Sequence, residues 1–406
     1  MVTPRFSLPP TQSLLDQISR ILPDVHLSAY DGSESGPRTA HTSISFNDPN
    51  AFARILRAPR GLGLARAWIA GEIAVEGDLH YLAKHEASLR DLKLLSTALT
   101  IAIRTTLALG YRQIRSAGPT AIEYRSPWHN RDSVRRSLEQ AEFHYGRSTQ
   151  FYRYLLGPSM VYSCGIFTAG IKTLEDAQSR KHELICTKLR LDPNSHVLDI
   201  GCGWGSFLNY ATERYGCQGT GITASQAQYR HALSTTRMAR SIKFLYGDYR
   251  RFLPVRDLTA AASIGMYEHV GEHNSPTFFR LIRESLPQGT RYLNQAIVWP
   301  RAKHHNIRHN AFVDRYIFPN GQLISLSKQV QDLEAARFRI ISIETFGQSY
   351  ASTIREWIGN LTRAWEACIQ LEGEERVRAW YMYLTGALTR FEDRSIDLAQ
   401  VLAEAR

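Results

Sequence analysis

Two kinds of hydrophobic pattern alternate along the middle of the chain. Apolar runs of strand length occupy 197–200, 219–223, 242–246, 258–264, 291–298 and 339–345. Apolar residues recur at three- and four-residue spacing, as in amphipathic helices, across 174–189, 206–214, 226–237, 275–282 and 327–336. The alternation predicts an α/β fold in which a parallel sheet carries helices on both faces.

The two ends of the chain lack this alternation. Residues 1–125 contain amphipathic stretches and closely spaced small residues, which predict a smaller, mostly helical N-terminal domain. Periodicity is lost at about 111–130, where prolines and arginines gather, so we place a domain boundary between 125 and 126. Helical spacing returns at 137–151, and two amphipathic helices through Ile354 and Trp380 close the second domain, 126–406.

The first predicted strand leads into three glycines at alternate positions, Gly201, Gly203 and Gly205. Glycine permits positive φ and lets the backbone approach a ligand closely, while the free N–H groups of the following helix face the same point. The spacing differs from the dinucleotide fingerprint, which needs another glycine three residues after the second. We therefore predict a nucleotide-like cofactor here, with an ordinary structural βα turn as the alternative.

Polar loops follow the other predicted strands. In a parallel sheet the ligand lies across the carboxyl ends of the strands, so these loops converge on the glycine turn. The second strand is followed by no acidic residue that would bind a ribose. Together the loops resemble those of class I S-adenosylmethionine methyltransferases, a Rossmann-like fold. The cofactor residues predicted here are Asp199, Gly201, Gly203, Gly205, Thr223, Ser225, Gln228, Gly247 and Asp248.

Composition adds a partner class and a location. The chain has 406 residues, 43% of them hydrophobic, and a net charge of +11, which favours an anionic partner such as a membrane surface or nucleic acid. The apolar stretch 94–109 is short and contains Arg104, and residues 1–10 lack a signal-peptide core. We expect a cytoplasmic protein. Five cysteines without a CxxC pair predict free thiols and no metal site.

Five segments carry a more specific pattern: 162–165, 197–205, 247–250, 265–271 and 316–321. In matching order, they resemble the cyclopropane-fatty-acyl-phospholipid synthase family. The resemblance covers residues 140–400, extends to 61–78 in the N-terminal domain, and is strongest to the branch that makes 10-methylene and 10-methyl fatty acids.

The resemblance implies methyl transfer from S-adenosylmethionine to a cis double bond in a phospholipid acyl chain. An alkene is a weak nucleophile, so a water-poor cavity must hold it in line with the methyl group. The resulting carbocation must then lose a proton. Loss from the transferred methyl closes a cyclopropane, whereas a prior hydride shift gives an exocyclic methylene, and both products stay open.

The family also implies residue roles. Its base is a bicarbonate ion, and the matching catalytic positions here are Cys164, Glu268, Ile297 and Tyr350. Gln295 stands where the family has a histidine, and it can donate a hydrogen bond but cannot titrate. Further residues implied by the resemblance are Tyr162 and Ser163 for the cofactor and Tyr145, Tyr316 and Phe318 for the acyl chain.

Two other departures keep a weakly active or non-catalytic member open: Gly146 replaces an acid and Thr149 an asparagine. An RNA methyltransferase is a further alternative, although no Asn/Asp-Pro-Pro-Tyr motif is present and we expect no nucleic acid partner. The stretch 291–310 has no acidic residue and includes His304, His305 and His309, which predicts headgroup contact or a solvated loop. We expect peripheral binding at the inner membrane face, with a homodimer left open.

Overall fold

The computed structural model describes residues 11–58, 61–85, 96–97, 99–101, 103–104, 118–124, 134–300 and 310–406, with Leu56 described in its backbone alone. The chain forms two compact units. The first comprises 1–125 with 315–317 and 373–389, and the second comprises 126–314, 318–372 and 390–406. Sequence analysis assigned 315–317 and 373–389 to the second domain. Their membership of the first unit depends on tertiary contacts such as the Trp68 indole donating to the Arg378 carbonyl (3.2 Å).

The first unit contains a four-stranded sheet that sequence analysis did not predict. Its strand order is β2-β1-β3-β4, with β1 and β3 parallel. The strands are short and rich in serine and threonine, so their alternation is weak. The strands are β1 Val25–Ala29, β2 Glu34–Ser35, β3 Thr42–Phe46 and β4 Ile73–Glu76; the helices are α1 Gln12–Ile21, α2 Asn50–Arg57, α3 Leu62–Ile69 and α4 Leu79–Lys84.

The second unit is built on an eight-stranded mixed sheet. Its main path runs β11-β12-β9-β8-β5-β6-β7, and β10 pairs with β9. The strands are β5 His196–Ile200, β6 Gln218–Thr223, β7 Ile242–Tyr246, β8 Ala260–Ile264, β9 Arg291–Trp299, β10 Ile324–Ser325, β11 Phe338–Thr345 and β12 Asp397–Ala405.

The expectation of a wholly parallel sheet is wrong at its last strand. β12 lies between β9 and β11 and is antiparallel to both. Sequence analysis missed this strand because a single apolar run at the chain end has no following helix to reveal it. Seven of its nine residues are buried and six are apolar, as expected of a strand that is covered on both sides.

Helices cover both faces of this sheet, as predicted. One apolar core lies beneath the helices Ser275–Ser285 and Leu326–Ala335, and the other beneath Leu174–Leu189, Ser206–Tyr215 and Gln226–Thr235. The helices from residue 134 onward are α5 Val134–Tyr145, α6 Thr149–Leu156, α7 Leu174–Leu189, α8 Ser206–Tyr215, α9 Gln226–Thr235, α10 Ser275–Ser285, α11 Ala311–Tyr316, α12 Leu326–Ala335, α13 Gly347–Arg363, α14 Trp365–Glu372 and α15 Glu374–Glu392.

Two details of the helices bear on the site. The single helix predicted at 137–151 is divided at Gly146 into α5 and α6. Within the described part of the chain, none of the helices has the length and apolar character needed to cross a bilayer.

Candidate functional site

The glycine turn after β5 has the backbone that its sequence predicts. Gly201, Gly203 and Gly205 have φ values of 84°, 53° and 87°. A Cβ at Gly201 would lie 2.7 Å from the Met266 side chain, and one at Gly205 would lie 2.9 Å from the Phe244 ring. Side chains at these two positions would therefore be strained by both conformation and contact.

A cavity opens above this turn at the carboxyl ends of β5, β6, β7 and β8. Every predicted cofactor residue except Gly205 lines it, which brings together side chains from four separate loops. Gly205 lies behind the turn as the N-cap of α8. The lining residues from the prediction are Tyr162, Ser163, Asp199, Gly201, Gly203, Thr223, Ser225, Gln228, Gly247 and Asp248.

Hydrogen bonds fix the polar groups after β6 and β7. Thr223 Oγ1 donates to Gln228 Oε1 (2.7 Å), and Ser225 caps α9 by accepting the Gln228 backbone N–H (3.4 Å). Asp248 accepts two bonds from the Arg250 guanidinium, at 2.8 and 2.7 Å. These hydrogen bonds hold the polar groups of the two loops in a fixed arrangement, which favours binding because less freedom is lost.

The cavity also contains charged groups that sequence analysis missed. Lys181 and His182 of α7 line it, and Lys181 Nζ donates to Ser163 Oγ (2.8 Å). Their signal was present: Gln178, Lys181 and His182 recur at i, i+3 and i+4, a spacing that places polar groups on one helix face. Gln178 Nε2 donates to the Ser163 carbonyl (2.7 Å), so this face holds the segment containing Tyr162 and Ser163.

Buried polar atoms in the cavity fit S-adenosylmethionine. Asp199 Oδ1 and Trp204 Nε1 are buried without a hydrogen-bond partner among the residues that the structure describes. Burial raises the pKa of Asp199 to about 7, and the charge of Lys181 partly offsets this rise. An unpaired acceptor, an unpaired donor and a glycine turn together suit a ligand that carries an ammonium group and a heterocycle.

An aromatic wall adjoins this cavity. The His144 ring lies 4.0 Å from Phe318 and 5.6 Å from Tyr162, measured between ring centroids. Tyr145 lies 6.3 Å from Trp204, and its hydroxyl is 3.1 Å from His269 Nε2. Two predicted acyl-chain residues, Tyr145 and Phe318, thus contact the rim of the cofactor cavity, and we name this set of rings the aromatic wall.

The third predicted acyl-chain residue lies elsewhere. Tyr316 belongs to the first unit, where its hydroxyl donates to Glu123 (3.0 Å) and accepts from Thr120 (3.1 Å). Glu123 also binds Arg66 and Arg315, each at 2.7 Å, so Tyr316 completes a buried ion-pair network. It does not line the cofactor cavity.

Gly146, one of the departures from the family pattern, lies beside another carboxylate. A Cβ at this position would overlap the Glu142 side chain and carbonyl, and the Gly146 N–H donates to the Glu142 carbonyl at 2.9 Å. An acidic residue at 146 would therefore require Glu142 to move.

The Glu268 side chain accepts a backbone hydrogen bond that β8 would accept if it continued. β8 ends at Ile264, and the Glu268 carboxylate takes the next ladder position by accepting the Ile297 N–H through Oε1 (2.7 Å). Its Oε2 is buried and has no hydrogen-bond partner within the described chain. Burial raises the pKa of Glu268 to about 7, while the bond from Ile297 opposes the rise.

Gln295 is oriented by a relay of hydrogen bonds. Lys188 Nζ donates to Gln400 Oε1 (2.6 Å), and Gln400 Nε2 donates to Gln295 Oε1 (2.8 Å) across directly paired strands. Lysine can only donate, so it sets the direction of both amides. Gln295 Nε2 is left as a buried donor without a partner in the described residues.

Cys164 and Tyr350 approach the same region from the other side of β12. The Cys164 thiol donates to Gly165 (3.0 Å) and lies 3.9 Å from the Phe346 carbonyl, one turn before Tyr350. The Phe346 N–H donates to Leu398, which pairs directly with Ile297. Burial raises the pKa of Cys164 well above its usual range, so the residue acts as a neutral thiol.

The five predicted catalytic residues thus lie around the end of β9, beside the cofactor cavity and outside its lining. The connection is Gly265, which lines the cavity and donates its N–H to the Gln295 carbonyl at 2.8 Å. Within the described chain, Glu268 Oε2 is a buried acceptor and Gln295 Nε2 a buried donor, and each lacks a partner.

Two expectations concern other chemistry. All five cysteines are free, as predicted, and all five are buried. The histidines at 304, 305 and 309 lie outside the described residues, and the described part of the chain contains no cluster of three side chains able to hold a metal ion.

Known proteins match this architecture. The family model for mycolic acid cyclopropane synthetase matches residues 132–401. A probable fatty acid methyltransferase of Mycobacterium tuberculosis is 31% identical over 93% of this chain and 90% of its own length. The cyclopropane-fatty-acyl-phospholipid synthase of Escherichia coli K12 is 31% identical over 67% of this chain and 69% of its own.

A solved structure agrees with these matches. Mycolic acid cyclopropane synthase CmaA1, complexed with S-adenosylhomocysteine (SAH) and CTAB, is 29% identical to this chain. The two structures superpose with a TM-score of 0.61 over 66% of this chain and 98% of that one. The sheet, the glycine turn and the family match lead to one conclusion. The chain belongs to the mycolic acid cyclopropane synthetase family and is an S-adenosylmethionine-dependent methyltransferase.

Proposed function

We propose that this enzyme transfers the methyl group of S-adenosylmethionine to the cis double bond of an unsaturated acyl chain in a membrane phospholipid, giving a cyclopropane fatty acid. The observation that carries the proposal is the buried Glu268 carboxylate beside a cofactor cavity with an aromatic wall. Among the described residues, only one oxygen of this carboxylate accepts a hydrogen bond. Such a site suits proton removal from an apolar substrate.

The cofactor would be held by the cavity residues from four loops, with Asp199 facing its ammonium group and Gly201 and Gly203 allowing close backbone approach. When bound, it supplies an electrophilic methyl group on a sulfonium. The protein's task is to place the alkene in line with that methyl and to keep water away, because water would trap a cation as an alcohol.

The aromatic wall is proposed to perform that exclusion. Tyr145 and Phe318 contact the rings that border the cofactor cavity, and ring faces carry negative potential that stabilises nearby positive charge. Tyr316 is not part of this wall, so a substrate contact by it lacks this support.

Glu268 and Gln295 are proposed to hold a bicarbonate base. Glu268 Oε2 would accept the O–H of the ion and Gln295 Nε2 would donate to its oxyanion, which would orient a proton acceptor toward the substrate. Ile297 would act through its backbone N–H, which holds Glu268. Cys164 and Tyr350 would form the side of the base site opposite Glu268, where both lie next to Phe346. When bound, the bicarbonate ion would supply the proton acceptor, and these residues would hold it.

The net charge and the relatives support a substrate that lies in a membrane. The net charge of +11 favours an anionic membrane surface, and the Escherichia coli relative is named for fatty-acyl phospholipid. We therefore propose peripheral binding at the cytoplasmic face, with the N-terminal domain, 1–125, associated with lipid.

One observation favours a second product. The Mycobacterium tuberculosis and Pseudomonas putida relatives, which span 93% and 96% of this chain, are both named probable fatty acid methyltransferases. The same transfer would then end in a 10-methylene fatty acid, the precursor of a methyl branch. Small displacements of the base relative to the cation decide between the two products.

Incubation with labelled S-adenosylmethionine, RNA and oleoyl-phosphatidylglycerol vesicles tests the proposal. Label in lipid supports it, and mass spectrometry of that lipid distinguishes a ring from a methylene group. Label in RNA and not in lipid contradicts it, as does SAH binding without any transfer.

A further inference from the structure

The cofactor cavity contains a buried cation that the proposed chemistry does not use. Lys181 is 1% exposed, and its Nζ donates to Ser163 Oγ (2.8 Å). No carboxylate lies within ion-pair distance of it in the described part of the protein. Burial lowers the pKa of Lys181 to about 7, which reflects how costly an uncompensated ammonium is in such a place.

An opposite charge lines the same cavity. Asp199, 2% exposed, leaves Oδ1 without a partner among the described residues, and its charge acts on Lys181 from beyond ion-pair distance. The cavity therefore contains a cation and an anion that do not satisfy one another. A ligand with both charges would satisfy each at its own end.

The neighbouring groups sharpen this complementarity. The Ser163 hydroxyl accepts from Lys181, so its own proton is free to be directed at a ligand, and Lys181 keeps two further N–H donors. His182 on the same helix face remains neutral, since burial and the Lys181 charge lower its pKa well below the ordinary value. Lys181 and Ser163 thus offer N–H and O–H donors to a ligand, and Asp199 offers an acceptor.

We propose that Lys181 is a specificity residue for the α-carboxylate of S-adenosylmethionine, which it recognises directly and through Ser163 while Asp199 receives the α-ammonium. The cofactor's amino-acid end is the zwitterion that this separated pair of charges fits. The assignment concerns the cofactor alone and goes beyond the proposed lipid chemistry.

Calorimetric titration with two ligands tests this role: SAH, and the analogue of SAH that lacks the α-carboxylate. The native protein should bind SAH about tenfold to a hundredfold more tightly than the analogue. Lys181→Met should remove that preference by weakening SAH and leave the affinity for the analogue within about twofold. Lys172→Met, which removes an exposed lysine just before α7, should retain the native preference.

Equal affinity of the native protein for both ligands would overturn the proposal. It would also be overturned if Lys181→Met lowered the affinity for both ligands by the same factor, because Lys181 would then only hold Ser163 in place. If thermal melting shows that Lys181→Met does not fold, Lys181→Gln replaces it, and its affinities for the two ligands are compared with those of the native protein by the same criteria. Titration needs no lipid, so a failure of lipid labelling leaves this result intact.

Discussion

Replacing Glu268 by glutamine separates the proposed base site from the cofactor site. Glutamine retains an oxygen that can accept the Ile297 N–H, now at 2.7 Å from Glu268 Oε1. It puts an N–H donor in place of the unpaired Oε2 acceptor and removes the charge. The change therefore alters one polar atom while the local packing and the ladder bond remain.

The expected loss of methyl transfer is about a hundredfold to ten-thousandfold, the range for groups that assist proton transfer. SAH affinity should change by less than about twofold, because Glu268 does not line the cofactor cavity. Transfer of label from S-adenosylmethionine to oleoyl-phosphatidylglycerol vesicles measures the first quantity, and calorimetric titration with SAH the second. Glu272→Gln, an exposed acid four residues away, should behave like the native protein in both assays.

Two results would refute this reasoning. Equal losses of transfer and SAH binding would place Glu268 in the cofactor site, and unchanged transfer would remove it from the proton path. A native level of folding, measured by the thermal unfolding transition, is required of the variant in either case.

The remaining predictions concern pH, the amide relay and the glycine turn. Burial raises the pKa of Glu268 to about 7 from an ordinary 4.5, so its stabilising contribution is complete below about pH 4.5 and is lost as the pH rises through 7. Denaturant titrations should show that the free energy of unfolding of the native protein falls by on the order of 3 kcal/mol across that pH range relative to Glu268→Gln. An equal pH dependence of the two proteins would contradict the assigned burial. Gln400→Leu leaves Gln295 Oε1 buried without its donor and should cost about 1–3 kcal/mol, whereas a double change to leucine at 295 and 400 should cost less than the sum of the single changes. Gly205→Ala should lower the thermal unfolding midpoint more than Gly203→Ala does. Both residues have positive φ, but a Cβ would contact Phe244 at 205 and open space at 203. Equal effects would show that backbone conformation alone matters.

Local pattern was sufficient to select residues that the structure brings together. The strand-turn-helix at 197–214 and the loops after the next strands were predicted from spacing, and the structure brings their residues to one cavity. This succeeds because consecutive parallel strands connect through helices with one handedness, so residues that follow each strand share an edge of the sheet. The family resemblance rests on the same segments and is confirmed.

Contacts between distant parts of the chain required the tertiary structure. Gln295 meets Gln400 across 105 residues because β12 enters the sheet antiparallel, and nothing near either glutamine indicates that pairing. Tyr316 lies in a family motif, yet its hydroxyl is bound to Glu123 of the first unit.

The sequence by itself determined the α/β order, the glycine turn, the cofactor loops and the family, since each depends on residues close together in the chain. Only the tertiary structure decided that Lys181 faces the cofactor cavity, that Gln295 presents a donor, and that Glu268 completes the ladder of β9. Spacing along a helix or strand sets which residues share a face. What that face meets depends on packing between elements that lie far apart in sequence.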